Sequence, residues 1–296
     1  MKHYKSLSHF LTSNGFPPPE NPMIVLIDCN GQCSLGDEAF TSDFYMIGFK
    51  KLKSGIIKYG RTKYDHENGS LLFVKPRQVI EFKDLQFEET GFNLFIHEDF
   101  LIGSPLHDEM NRYGFFDYET NEALHLSPRE EAIIWDLYRK IETEYNNITD
   151  EYSRDIILTH IDSILKYSQR FYKRQFINRT ELSGNTVSRF NDILTSYSKK
   201  GLLQTNGLPT VHAVASQLNL SVRYLSDLLK QETGKTAIEL IHIHLINEAK
   251  NRLKGEDQRV SEIAYTLGFE NLPYFSRLFK KETGVSPNQF KKQLLN

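Results

Sequence analysis

Arg223, Ser226 and Lys230 stand three and four residues apart, and Pro273, Ser276, Arg277 and Lys280 repeat those offsets fifty residues later. A guanidinium offers a planar fork of donors, an ammonium a compact charge, and a serine hydroxyl both a donor and an acceptor. Residues three and four apart share one face of a helix, so each set forms a single polar and basic strip. Such a strip can hold phosphate oxygens or the acceptor edge of guanine. Lys281 borders the second strip, and Asn271 and Ser221 stand just upstream of the two strips. Arg223 and Asp227 are also four apart, the spacing of a plain surface ion pair, so two readings stay open for the first strip.

Two helices must carry these strips. Tyr224, Leu225, Leu228 and Leu229, and then Tyr274, Phe275, Leu278 and Phe279, recur at i, i+1, i+4 and i+5. That is the buried face of a 3.6-residue helix, with the basic residues on the opposite face. Ser221 suits an N-cap, Pro273 a first turn, and Gly234 and Gly284 the left-handed residue that ends a helix. Upstream, Val214-Ala215, Leu218 and Leu220 match Ile263-Ala264, Leu267 and Phe269, with one extra residue in the second turn. A repeat at a fixed period means that one supersecondary unit is used twice. Small Ala215 and Ala264 allow two helices to approach closely, and Asn219 or Gly268 makes the turn between them. Each unit is therefore predicted to be a helix, a tight turn and a second helix with a bare basic face.

The pattern Ile263-Ala264, Gly268-Phe269, Tyr274-Phe275-Ser276-Arg277-Leu278-Phe279-Lys280-Lys281, Gly284 and Pro287 closely resembles the C-terminal domain of AraC/XylS-type transcription regulators. The resemblance covers roughly Leu208 to Lys292. It implies two helix-turn-helix units joined by a long helix, reading successive major-groove segments of double-stranded DNA. Ala237 to Leu253 reads as that helix, about 25 Å long at 1.5 Å per residue. Such a helix can hold two readers near one DNA turn apart, about 34 Å. DNA-binding candidates are thus Ser221, Arg223, Ser226, Lys230, Asn271, Pro273, Ser276, Arg277, Lys280 and Lys281, with Arg277 and Lys280 foremost. Tyr274, Phe275, Leu278 and Phe279 are expected to be structural. Two positions depart from the family: Leu245 stands where Arg is usual, and Phe290-Lys291 where Tyr-Arg is common.

With 296 residues, two or three units are expected. Net charge is −2, yet Met1–Thr120 holds twelve Lys and Arg against seventeen Asp and Glu, and Gly201–Asn296 twelve against nine. An acidic front and a mildly basic back suit a DNA-binding end, although the face pattern decides the matter more than bulk charge. Cys29 and Cys33 are too few for a disulfide scaffold and are spaced for neither a zinc ribbon nor a thioredoxin pair, so they read as ordinary reduced thiols, with a redox pair as the alternative. No export signal or membrane-length apolar run is seen, so a cytoplasmic setting is expected.

The N-terminal half is predicted to be strand-rich after a short helix over Ser6–Asn14. Apolar runs at Met23–Ile27, Phe44–Phe49, Gly55–Tyr59, Ser70–Val74 and Gly91–Ile96 come at hairpin intervals, which argues for an antiparallel sandwich or barrel. Gly69–Gln78 is similar to a segment of the cupin-like sensor domains found in the same regulators. His66-Glu67, His97-Glu98 and His242-x-His244 do not assemble the His and Glu set of a metal cupin, so no metal, cofactor or catalytic residue is assigned. A barrel without ligands leaves a pocket for a small molecule. Phe44, Tyr45, Phe49, Tyr59, Phe73 and Phe95 are candidates to line it, some of them being core instead.

Ser127-Pro128-Arg129-Glu130 reads as a capping box opening a helix to about Tyr145, with Ile133, Ile134, Leu137 and Ile141 buried. Further helices are expected over Glu151–Tyr172, with Ile156, Ile157, Ile161, Ile164 and Leu165 inside, and over Thr186–Ser198. Packing on the barrel and pairing of two chains are both open for them. The basic cluster Arg170, Lys173, Arg174 and Arg179 reads as solvated surface rather than the alternative of a DNA contact, and Ser198–Pro209 as a linker.

The fold class is thus α+β: an antiparallel, cupin-like β-barrel over 1–125, amphipathic linker or dimerisation helices over 126–200, and an all-α domain with two helix-turn-helix units over 201–296. The expected protein is a sequence-specific regulator controlled by a small molecule or partner, forming a homodimer and meeting RNA polymerase. A constitutive architectural DNA binder and a barrel enzyme with a DNA-binding tail are the competing readings.

Overall fold

A computed structural model describes residues 2–28, 39–54, 69–80, 86–118, 122–183, 186–255 and 259–294. The chain divides into two units, Met1–Phe176 and Ile177–Asn296. Cys29, Cys33, the run Gly55–Tyr59, His66-Glu67 and the side chain of Arg179 lie outside what is described.

In the first unit, alternation along the strands sends side chains to two faces, and both faces are covered. Strands β1 (Lys2–Tyr4) and β3 (Phe40–Ser42) pair in parallel as a two-stranded sheet. The larger sheet is antiparallel and contains β2 (Ile24–Asp28), β4 (Phe44–Ser54), β5 (Ser70–Val74), β6 (Gln86–His97) and β7 (Leu124–His125). Its order is β2-β6-β4-β5-β7. Met46 opposes both Phe95 and Val74, and this face packs on α1 (Leu7–Ser13) through Leu7, Phe10 and Leu11. Phe10 meets Phe44 and Phe95 with ring centroids 5.2 and 5.3 Å apart.

On the other face, Phe49 and Phe92 stack, and Phe92 stacks in turn on Tyr138 at 3.9 Å. Phe73 packs on Phe115 and Phe116, which lie beyond α2 (Pro105–Met110). Phe44, Phe49, Phe73 and Phe95 are therefore core rather than pocket lining. Tyr45 is half-buried against Phe116, and Tyr59 lies outside the described residues. Among the described residues the strands make a small open antiparallel sheet, a coarser architecture than the closed barrel expected.

Helices α3 (Pro128–Tyr145) and α4 (Ser153–Ser183) follow. The predicted capping box is present: Ser127 Oγ accepts from Glu130 N, while Ser127 N donates to the Glu130 carboxylate at 2.8 Å. This closes two otherwise open N–H groups of the first turn. Replacing Ser127 with Ala is expected to lower stability by about 1 kcal/mol, read as a shift of the first unit's urea midpoint. Ile134, Leu137, Tyr138 and Ile141 are buried, whereas Ile133 is only half so. Helix α4 runs eleven residues past the predicted Tyr172, because no glycine or proline stops it there. Ile156, expected inside, is 38% exposed at its start. Arg174, expected in solvent, is half-buried: it donates to His125 O at 2.6 Å and faces the Glu130 carboxylate at 3.0 Å.

Among its described residues the second unit is all helix. It comprises α5 (Thr186–Lys199), α6 (Leu202–Asn206), α7 (Val211–Leu218), α8 (Val222–Thr233), α9 (Ala237–Gly255), α10 (Val260–Thr266), α11 (Leu272–Thr283) and α12 (Pro287–Leu294). One core joins them, with Phe190 and Leu194 from α5, Leu203 from α6, and Ile241, Leu245, Ile246 and Ala249 from α9. The stretch expected as a linker, Ser198–Pro209, thus contains a helix whose Leu203 is buried. Tyr197 also ties it down by donating to Gly207 O at 3.2 Å. Leu245, standing where the resemblance has Arg, is fully buried, which explains an apolar residue there.

Candidate nucleic-acid interface

The two predicted units form as α7–α8 and α10–α11, and their turns share one hydrogen-bonding scheme. Asn219, at φ 55, and Gly268, at φ 82, are the left-handed residues. The next amides, Leu220 N and Phe269 N, each donate 3.0 Å back to Ala215 O and Ala264 O. This is the long-range bond of a Schellman-type helix end. Both alanines are buried, so the helices do approach where the small residues allow it. The extra residue of the second copy falls between Phe269 and the N-cap Asn271.

Both second helices begin with a side-chain cap and end on a left-handed glycine. Ser221 Oγ accepts from Tyr224 N at 3.1 Å, and Asn271 Oδ1 from Tyr274 N at 2.9 Å. Gly234 has φ 73 and Gly284 φ 82. Ser221 is buried, whereas Asn271 is exposed and its Oδ1 serves the cap. Leu225, Leu228 and Leu229 on α8, with Phe275, Leu278 and Phe279 on α11, face the core. Tyr224 is fully buried but Tyr274 is 38% exposed, so the repeat breaks at this pair. The hydroxyl of Tyr274 lies 3.3 Å from His242 Nε2 on α9.

The outward faces carry the remaining candidates. On α8, Arg223 and Lys230 are exposed and Ser226 is half-buried. Arg223 Nε donates to Asp227 Oδ2 at 3.0 Å, so the pairing open in the sequence does form. On α11, Pro273, Arg277, Lys280 and Lys281 are exposed and Ser276 is half-buried. Arg277, Lys280 and Lys230 form no ion pair within 4.0 Å of a described carboxylate. Both helices pack on α9, whose 19 residues span about 28 Å at 1.5 Å each.

The repeat extends further than its sequence motif suggested. Thr233 Oγ1 donates to Leu229 O at 2.7 Å, and Thr283 Oγ1 to Phe279 O at 2.8 Å. Thr236 N then donates to Glu239 Oε2, and Ser286 N to Gln289 Oε1, opening α9 and α12 alike. Each copy is therefore three helices, and α12 packs Phe290 against Phe279 at 5.5 Å. The same fifty-residue offset in Thr236-x-x-Glu239 and Ser286-x-x-Gln289 was the available signal for it.

His242 and His244 point to different sides of α9. His244 Nε2 lies 3.1 Å from Ser198 Oγ on α5. Burial holds both imidazoles below their ordinary pKa; Glu248 opposes the shift at His244, and at His242 Glu282 and Glu239 oppose it while Lys281 adds to it. The unfolded chain takes up protons near pH 6.5, about the ordinary value, where the folded state stays neutral. Their contribution is thus complete above about pH 6.5 and is lost as pH falls below it. The urea midpoint of the second unit is expected to drop between about pH 7.5 and pH 5.5, and to drop less in His244→Gln.

No group of three or more metal-ligating side chains occurs among the described residues, and no described helix is long and apolar enough to cross a membrane. His97 is locally bonded: its Nε2 lies 3.0 Å from Lys5 O and its Nδ1 accepts from Asp99 N.

Two tandem helix-turn-helix units with basic outer faces define a class of DNA-binding domain. Residues 214–293 match the family described as a helix-turn-helix domain. An uncharacterized HTH-type transcriptional regulator of Bacillus subtilis, YfiF, is 25% identical over 255 residues, 84% of this chain and 76% of the relative. The HTH-type transcriptional activator RhaS of Escherichia coli is 29% identical over 150 residues, 51% of this chain and 49% of that one. YijO, an uncharacterized HTH-type transcriptional regulator of Escherichia coli, is 39% identical over 85 residues, covering 28% of this chain and 30% of the relative. The chain thus spans about three quarters of the first relative and about half of the second. Residues 214–293 are thus a helix-turn-helix domain, and these relatives are named as transcription regulators.

Proposed function

We propose that this chain is a sequence-specific DNA-binding transcription regulator in which α8 and α11 enter successive major-groove segments of one site. The observation that carries this reading is the pair of equivalent helices, mounted on one α9 with their basic faces outward. Arg223, Lys230, Arg277, Lys280 and Lys281 would reach bases and phosphates, with Ser226 and Ser276 beside them. Ser221 and Asn271 would orient the helices as caps, and Pro273 would fix the first turn of α11.

The Met1–Phe176 unit is read as the sensor. A cleft of about 450 Å³ lined by Leu106, Glu109, Leu158, Asp162 and Lys166 offers room for a small effector. A cupin-like closure of the sheet, pairing of two chains through α3 and α4, contact with RNA polymerase and a cytoplasmic setting complete the proposal. Selection of bound sequences from random DNA by the full chain tests it. A two-part motif with centres about one turn, 34 Å, apart is expected. Enrichment of nothing, with binding that only fades as salt rises, would overturn it in favour of an architectural binder.

A further inference from the structure

The internal repeat places Asp227 where the second copy has Arg277. The outer face of α8 therefore carries Arg223, Asp227 and Lys230, while that of α11 carries Arg277, Lys280 and Lys281. A carboxylate in the middle of a face that meets DNA is repelled by phosphate, so α8 gives up electrostatic attraction that α11 keeps. That loss calls for a compensating role.

The geometry of the pair supplies one. Asp227 Oδ2 accepts from Nε of Arg223 at 3.0 Å, and the two side chains are 27% and 50% exposed. A bond made through Nε does not use the two terminal amino groups of the guanidinium. Those are the groups that make the two-fold contact with guanine O6 and N7. Arg223 is the second residue of α8, and the N-terminal residues of a reading helix are the ones that contact base edges. The same carboxylate disfavours the neighbouring phosphates as an alternative partner for that fork.

We infer that Arg223 and Asp227 form one reading couple, in which Arg223 reads a guanine and Asp227 is the positioning residue that holds its fork toward the groove. Helix α8 then contributes chiefly discrimination, and α11 chiefly phosphate-driven affinity. This rests on the DNA-binding reading proposed above.

The test uses the full chain and the same selection from random DNA, run for wild type, R223A, D227A, D227N and the double variant R223A/D227A. In wild type, one half of the motif is expected to hold a guanine that R223A erases. D227A should blur that same position about ten-fold while binding random DNA more tightly, since a negative charge is gone. D227N retains an acceptor for Nε and should restore the preference in part. The double variant should discriminate no worse than R223A alone. A wild-type motif left intact by D227A, or altered by it at a position that R223A does not touch, would overturn the couple while leaving the regulator reading standing. A wild-type protein that enriches nothing would remove both.

Discussion

Gly268→Ala is expected to cost the C-terminal unit about 3 kcal/mol or more, enough to separate its unfolding from that of the rest of the chain. Two causes add. Gly268 has φ 82, a conformation that an L side chain adopts only under strain. A Cβ placed there would also meet Leu203 O at 2.5 Å and Gly207 C at 2.9 Å, both backbone atoms that cannot swing aside. Gly284 is the natural control, since its φ is likewise 82 but an added Cβ there meets nothing within 4 Å. Gly284→Ala should lose only about 1 kcal/mol, the conformational part. Urea titration followed by helical circular dichroism separates the two. Equal losses in both variants would mean that the turn does not rest on α6 as described.

That contact also shows where sequence reading stops. The helix-turn-helix pattern was legible because each position has a local reason: apolar residues at i, i+1, i+4 and i+5, a capping Ser or Asn, and a closing Gly. The same holds for the box at Ser127 and for β5, whose predicted span, Ser70–Val74, is the observed one. Helix α6 was not legible. It is five residues long, flanked by Gly201 and Gly207, and it exists because Leu203 finds a core made by distant helices. The strand aromatics were half legible: alternation told that two faces exist, but not that α1 would cover one and α3 the other. Ile156 satisfied the helical stripe yet lies at the exposed start of α4, because a period fixes the face and not what covers each turn. Among the candidate contacts, sequence alone left Arg223 between base and Asp227. The structure joins it to Asp227 through Nε, an arrangement compatible with both readings.

The second large effect is expected on binding rather than folding. Arg277 and Lys280 are exposed, one turn apart on α11, and neither is within ion-pair reach of a described carboxylate. Truncating them should therefore leave the unfolding midpoint unchanged within about 0.5 kcal/mol. Their roles differ by chemistry. The planar fork of Arg277 suits a base edge, so Arg277→Ala should cost about 1–3 kcal/mol on the selected site and erase one position of the α11 half-motif. Lys280 is a point charge one turn further on and suits phosphate. Lys280→Ala should weaken all sequences alike and make the dependence of log affinity on log salt less steep by about 0.9. Measuring affinity for the selected site and for random DNA at several salt concentrations distinguishes these outcomes. If both variants bound the selected site as wild type does, α11 would not be lying in the groove. The reading faces would then have to be sought elsewhere on the unit, beginning with the exposed residues of α12.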